Sequence, residues 1–310
     1  MTEQIIKDEE ATLRLDAWLF QSDQSKSRSQ WQKVIKAGQV KVNGRPVNAS
    51  HRLKAGDRLE IALVTETPAV KRQAIKAMPE IEVVAQCADY LVINKPAGVI
   101  VHGTKYSHTV TLVDWLLKHY PKLKRIGEDS LRPGIVHRLD KAVSGLMVIA
   151  LSQPMFESLK QQFQTRTIEK RYLGLVYGVV PKDQGQLDFL LERSSSGHKM
   201  AAKPVSQAEG KEALTYFQVV RRFINYTLLE LTIKTGRTHQ IRAHLSAFNH
   251  QLLGDDLYGT AMTRIKNKKF KLGRVWLHSQ YLAFDNLAGE RVEFNSEAPQ
   301  ELMKVLEEIK

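Results

Sequence analysis

Gly134-Ile135-Val136-His137-Arg138-Leu139-Asp140-Lys141 continues through Ala142-Val143-Ser144-Gly145 into the apolar run Leu146-Met147-Val148-Ile149-Ala150-Leu151. A turn rich in polar groups therefore feeds straight into a strand, which places a histidine, an arginine, an aspartate and a lysine at its entrance. Two other segments share this pattern. Asn94-Lys95-Pro96-Ala97-Gly98-Val99-Ile100-Val101-His102 reads as a strand ending in a Pro-Gly turn, and Thr235-Gly236-Arg237-Thr238-His239-Gln240-Ile241-Arg242-Ala243-His244 leaves a strand and starts a helix. Any one of them alone also fits a turn with incidental charges. Around them, residues 81–85 and 90–94 read as paired strands and 146–151, 172–180, 214–220 and 227–233 as further strands, with helices over 111–119, 154–165 and 238–248. Strands outnumber helices and do not alternate with them. The expected fold class is α+β, with a mixed, largely antiparallel catalytic domain over residues 81–310, rather than a doubly wound sheet.

Upstream the texture differs. Leu15, Trp18 and Leu19 fall at helical spacing, and Ser27 is placed to cap a second helix carrying Trp31, Val34 and Ile35 and stopped by Gly38. Val40, Val42 and Val47 flank Asn43-Gly44, a hairpin-turn signal, and Gly56-Asp57 precedes a short strand over 58–63. These elements make a small α+β module over residues 12–63. From Gln24 to Gly56 there is no acidic residue and there are eight basic ones, a field of one sign. Residues 64–80, with Pro68 and Pro79 and little periodicity, read as a linker.

The whole chain, 310 residues with 46 Lys and Arg against 33 Asp and Glu, carries a formal charge of +13, which points to a polyanion. One cysteine, Cys87, excludes an internal disulfide and a thiolate-rich metal cage, and fits a reducing, cytoplasmic setting. The polar start MTEQIIKDEEATL does not read as a signal peptide, and no apolar run approaches a membrane span, so no membrane association is expected. There is neither a GxGxxG after a strand nor a GxxxxGK[ST] phosphate loop. His239 and His244 lie five residues apart, which on a helix turns them to different faces, so no metal site is expected.

The module Arg14-Leu15-Asp16, then Ser27-Arg28-Ser29, then Gly38-Gln39-Val40-Lys41-Val42-Asn43-Gly44 resembles the RNA-binding domain named after ribosomal small-subunit protein four. That resemblance implies RNA contacts from Arg28, Lys33, Lys36 and Lys41. The three later segments, taken in order, resemble the motifs of the pseudouridine synthase family that modifies large-subunit ribosomal RNA, the RluA/RluD type. The likeness spans residues 80 to 295, takes in Arg171-Tyr172-Leu173-Gly174-Leu175-Val176-Tyr177-Gly178, and closes on Leu277-His278 before a strand over 281–284.

The resemblance implies an isomerase that turns uridine within RNA into its carbon-linked isomer. No atom is gained or lost, so no cofactor is expected. It implies Asp140 as the catalytic carboxylate, Arg242 as its partner, and Tyr172 as the aromatic against the uracil, its phenol placed to join in proton removal. It implies that Arg138 fills the space left by the extruded nucleotide, and that Lys95 and Leu277 line or brace the pocket. His137, with His102, His239 and Gln240, is expected to support the site through hydrogen bonds. Where the family commonly has Asp-Thr or Glu-Thr before Ser-Gly, this chain has Ala142-Val143. A second basic stretch, residues 259–284, has six cations and no acid, and reads either as a phosphate-binding surface or as a solvated loop. The expected partner is ribosomal RNA, acted on by a monomer. Transfer RNA is the alternative substrate, and a non-catalytic RNA-binding or ribosome-assembly protein is the alternative role.

Overall fold

The computed structural model describes residues 2–23, 28–62, 78–103, 109–194, 199–204 and 210–309. The chain divides into two compact units, Met1–Ala77 with Gly103–Thr109, and Met78–His102 with Val110–Lys310. The expected cap at Ser27 and residues 64–77 of the expected linker lie outside the described residues.

In the first unit, β1 (Thr2–Ile5) is followed by helices α1 (Leu15–Ser22) and α2 (Arg28–Lys36) and by β2 (Val40–Val42), β3 (Arg45–Pro46) and β4 (Arg58–Ile61). The strands form an antiparallel sheet in the order β1-β4-β2-β3. Asn43 and Gly44 both have positive φ, 51° and 77°, as a two-residue hairpin turn matching strand twist requires. Leu15, Trp18, Leu19, Trp31, Ile35 and Leu59 bury together. Asp16 is fully buried among them and accepts hydrogen bonds from Arg14 (3.1 Å), Arg28 (3.1 Å) and Gln32 (2.6 Å), which ties α1 to α2. Burial works against its charge, but these donors outweigh it and hold the carboxyl well below its ordinary pKa.

The second unit runs β5 (Glu82–Gln86), β6 (Tyr90–Lys95), α3 (Leu112–His119), β7 (Ser144–Ala150), α4 (Gln153–Thr165) and β8 (Glu169–Tyr177). It continues through β9 (Gln184–Arg193), β10 (Met200–Pro204), β11 (Lys211–Arg222), β12 (Tyr226–Ile233), α5 (Gln240–Ala247) and α6 (Ala261–Phe270). β13 (Leu277–Asp285), β14 (Arg291–Asn295) and α7 (Gln300–Glu308) complete it. The strands join in one mixed sheet, β10-β9-β11-β12-β8-β13-β7-β6-β5, with β14 paired to β13. Among the described strands only β13 and β7 pair in parallel, so the sheet is largely antiparallel, as expected.

β7 explains its unbroken apolar sequence. Met147 and Ile149 point into the core that holds Tyr172, Leu231 and Ile241, while Leu146, Val148 and Ala150 point into the opposite core with Phe156 and Leu159 of α4. A strand buried on both faces has no polar face to show. At its start, Gly145 (φ +122°) faces Ser279 across the parallel seam, where a Cβ would lie 2.3 Å from the Ser279 carbonyl oxygen. Only glycine allows the two backbones to come this close.

The second basic stretch is an ordered element. Residues 261–270 form α6, whose cap, Thr260, accepts from the Thr263 amide at 3.2 Å. No helix among the described residues is long and apolar enough to cross a membrane.

Candidate active site

The segment before β7 is fastened along it before it delivers Asp140. The Ala150 amide donates to the Gly134 carbonyl (3.0 Å), Ile135 bridges Ile149, and the Val148 amide donates to His137 Nε2 (3.0 Å). A tight turn follows, with the Val143 amide donating to the Asp140 carbonyl at 3.1 Å and the Gly98 amide to the Lys141 carbonyl at 2.6 Å. Val143 is buried and Ala142 packs against the same core. Where the related motif carries polar groups, this loop is held by apolar burial.

Asp140 meets Arg242 from α5, with Nη1 to Oδ2 at 3.1 Å. The other two nitrogens of the guanidinium are taken by Asp255, Nε to Oδ2 at 2.7 Å and Nη2 to Oδ1 at 2.8 Å. Asp255 is itself buried and accepts the Leu257 and Tyr258 amides at 3.1 Å each. Burial opposes the charge on Arg242, but the hydrogen bonds and charge of Asp255, with those of Asp140, raise its pKa further above the ordinary value. The result is a fixed cation whose one remaining edge faces Asp140.

His239 precedes α5 with φ 55°, a left-handed conformation uncommon outside glycine. Its Nδ1 lies 3.1 Å from the Tyr258 hydroxyl and its Nε2 3.8 Å from Asp140 Oδ2. Burial lowers its pKa, against the pull of Asp140, so the ring is neutral near pH 7. Gln240 locks the same turn: its Oε1 accepts from the Thr235 hydroxyl (2.7 Å) and the Arg237 amide (3.2 Å), and its Nε2 donates to the Leu214 carbonyl (3.0 Å). The helix starts at Gln240 rather than at residue 238 because this turn intervenes.

A cavity of about 330 Å³ opens over these groups, lined among others by Arg138, Asp140, Tyr172, His239, Arg242 and Leu277. Tyr172, on β8, is 5 % exposed and sits opposite Ser279 of β13. Burial chiefly, with the Asp140 charge adding and a hydrogen bond with Ser279 opposing, raises its pKa, so the phenol stays protonated. Arg138 is exposed at the rim, with Nη1 3.4 Å from His102 Nε2. The cavity wall thus combines an arginine-paired carboxylate, a buried phenol, an apolar floor and an exposed planar cation.

Known proteins share this arrangement's sequence. A family model described as RNA pseudouridylate synthase matches residues 89–247, and an S4 domain model matches residues 13–59. An uncharacterised RNA pseudouridine synthase of Bacillus subtilis, YlyB, is 34 % identical over 305 residues, covering 98 % of this chain and 96 % of its own. The chain belongs to the RNA pseudouridine synthase family. The synthase is also 36 % identical over 300 residues to ribosomal large subunit pseudouridine synthase D of Neisseria meningitidis serogroup A, covering 94 % of this chain and 78 % of that one. Among solved structures, human RNA pseudouridylate synthase domain containing 4 superposes with a TM-score of 0.59 at 25 % identity, over 74 % of this chain and 94 % of that one.

The synthase brings Asp140, Tyr172, Arg242, Arg138, His137 and Leu277 to one cavity. Of the two expectations for Lys95, lining or bracing, the structure fits the second: it is fully buried and not among the cavity-lining residues, and its ammonium donates to the Pro96 (2.9 Å) and Val99 (3.0 Å) carbonyls, bracing the loop. Burial and then the charge of Arg274 bring its pKa down to about 7, with Asp140 opposing. His137 spends Nε2 on the β7 backbone and stacks on Phe163 with centroids 4.9 Å apart. Burial and the nearby Lys170 bring its pKa down to about 3, so it is neutral.

In the S4 domain, Lys36 and Lys41 are exposed, whereas the side chain of Lys33 lies outside the described residues. Arg28 is half exposed but commits part of its guanidinium to buried Asp16. Sequence reading missed Asp255 altogether. Gly254-Asp255 marks a turn, and nothing in its spacing from Arg242 tells that the two side chains meet.

Proposed function

We propose that this synthase converts uridine to pseudouridine within large-subunit ribosomal RNA, with Asp140 as the catalytic carboxylate. The observation that carries this reading is the clamp of Asp255 on Arg242 and of Arg242 on Asp140, beside Tyr172 in one cavity. An arginine with two edges already occupied cannot swing away, so Asp140 is presented in one orientation, with its charge supported and the rest of its oxygens free to act on the nucleotide.

The reaction breaks the bond between uracil nitrogen 1 and the ribose, turns the base, and joins carbon 5 to the sugar, while carbon 5 loses a proton and nitrogen 1 gains one. Asp140 acts at the sugar–base junction. Tyr172 and Leu277 form walls against which the detached base turns without escaping. Tyr172, protonated in the free enzyme, acts there as a hydrogen-bonding phenol. Arg138, at the rim, takes the stacking position left by the extruded uridine. The exposed Lys36 and Lys41 of the S4 domain bind RNA phosphates, and the name of the Neisseria relative supports a ribosomal substrate.

Asp140→Asn keeps the size of the side chain and removes its charge. It should abolish pseudouridine formation on ribosomal RNA transcripts while leaving RNA affinity near wild type; measurable product would sink the assignment. Mapping pseudouridines in ribosomal and transfer RNA of cells lacking the gene tests the substrate, and sites lost from transfer RNA alone would replace it.

A further inference from the structure

Among the described residues Lys170 is the one buried ammonium in the cavity wall, and the mechanism above does not use it. It lies two residues before Tyr172 on β8 and faces the same cavity, with 5 % of its surface exposed. Its neighbour Arg171, pointing to the other side of the sheet, has a counter-charge in Glu169 at 3.1 Å and lies over the Tyr281 ring at 3.7 Å. Lys170 has no such counter-charge. Among the described residues no carboxylate pairs with it, and its ammonium rests 5.0 Å from the centroid of the Phe163 ring. A largely buried ammonium without a counter-charge, its tip open to the cavity, is poorly solvated and favours an anion arriving there. Burial, with Lys234 adding, brings its pKa down to about 8, the mark of a cation short of a partner.

The ligand's class follows from position and charge. Of the residues lining the cavity only Asp140 is acidic, and Arg242 already answers it, whereas Arg132, Arg138 and Arg237 add positive charge around the opening. Thr232 pairs with Arg171, and β12 ends one residue later, beyond which Lys234, Gly236 and Arg237 are exposed. Lys170 is therefore on the side where the cavity opens, about 7 Å along the strand from Tyr172. A uracil laid on Tyr172 leaves its sugar–phosphate strand running past this end. The chemistry favours the phosphate over the base: once the base is detached it must turn, and an ionic tether on uracil would hinder that, whereas one on the backbone holds the ribose in place. We propose that Lys170 is a phosphate seat, binding a backbone phosphate that flanks the target uridine; this rests on the reading of the cavity as the RNA-modifying site.

The test uses synthetic stem-loops centred on a uridine that the full-length enzyme converts, with the phosphate on either side of it replaced in turn by an uncharged methylphosphonate. Affinity is read with Asp140→Asn and turnover with the otherwise wild-type enzyme. One neutral linkage should weaken wild-type kcat/KM by about 10-fold or more, and should cost Lys170→Gln nothing further, since the two changes remove the same interaction. Lys170→Gln should raise KM more than it lowers kcat and reduce the salt slope of binding by about one, and Lys170→Arg should restore most of the loss. A wild-type enzyme indifferent to both neutral linkages overturns the proposal without reliance on any Lys170 variant. So do additive losses at both linkages, or a Lys170→Gln defect confined to kcat with an unchanged salt slope. Turnover by Asp140→Asn would instead overturn the assignment of the carboxylate, while the affinity arm would still report on Lys170.

Discussion

Asp255 illustrates how much of a reactive site can belong to a residue that never meets substrate. It holds Arg242 by both oxygens from a buried position, and Arg242 in turn orients Asp140. Asp255→Asn leaves that arginine with an incomplete partner, and removing one member of a buried ion pair costs about 3–5 kcal/mol. We expect a lower melting temperature together with a lower kcat and a KM near wild type. A variant with full kcat would show that Arg242 holds its place unaided. The two tyrosines of β8 divide between cores: Tyr172 faces the cavity, while Tyr177, five residues on and so on the opposite face by strand alternation, lies in a separate core and donates to Asn267 Oδ1 at 2.7 Å. Tyr172→Phe should block completion of product and leave binding intact, read by tritium release from uracil carbon 5. Tyr177→Phe should leave release unchanged and cost about 1 kcal/mol of stability from the missing hydrogen bond. Wild-type release from Tyr172→Phe would reduce the phenol to packing.

At the scale of elements, the seam between β7 and β13 carries the site. It aligns Ser144-Gly145, just after the Asp140 turn, with His278-Ser279, opposite Tyr172. The Ser144 hydroxyl lies 2.9 Å from His278 Nδ1 and accepts from Arg274 at 2.7 Å, so a buried polar network backs the parallel pair. Gly145→Ala would push a methyl group into the Ser279 backbone, which unlike a side chain cannot rotate away. A loss of more than about 3 kcal/mol is expected, at or beyond the usual range for an overpacked core. Gly273, with φ 69° and open space around its Cβ position, is the control; Gly273→Ala should cost only the left-handed strain, about 1–2 kcal/mol. Equal denaturation midpoints for the two variants would mean that the seam yields.

For the whole molecule, the S4 domain and the synthase unit are expected to make separable contributions to RNA binding. Removing residues 1–63 takes away the exposed Lys36 and Lys41 along with the rest of the basic face. Affinity should fall, and the salt dependence should become shallower by nearly one for each phosphate no longer neutralised. The remaining unit, which holds Asp140, Tyr172 and Arg242, should still turn over. Binding measured across a salt series decides this, and an unchanged slope would mean that the module's cations stay solvated when RNA is bound.

Local patterns in the chain were enough to determine the α+β class, because strand alternation, a Gly-marked hairpin and polar turns against apolar strands act over a few residues; the cavity residues Asp140, Tyr172, Arg242, Arg138 and Leu277 were implied by the resemblance of the chain's motifs to a known family. β9, β10, β14 and α7 were not read; β10 and β14 bury no residue fully, and it is their pairing with β9 and β13 that makes them strands. Whether Lys95 would line the pocket or brace it was left open by the sequence, because burial depends on what packs above a residue. Only the tertiary structure decided that Asp255 would clamp Arg242 and that Lys170 would face the cavity unpaired. Both are meetings, or failures to meet, between charges on different elements, and the sheet order that sets those distances is not written in any local stretch of sequence.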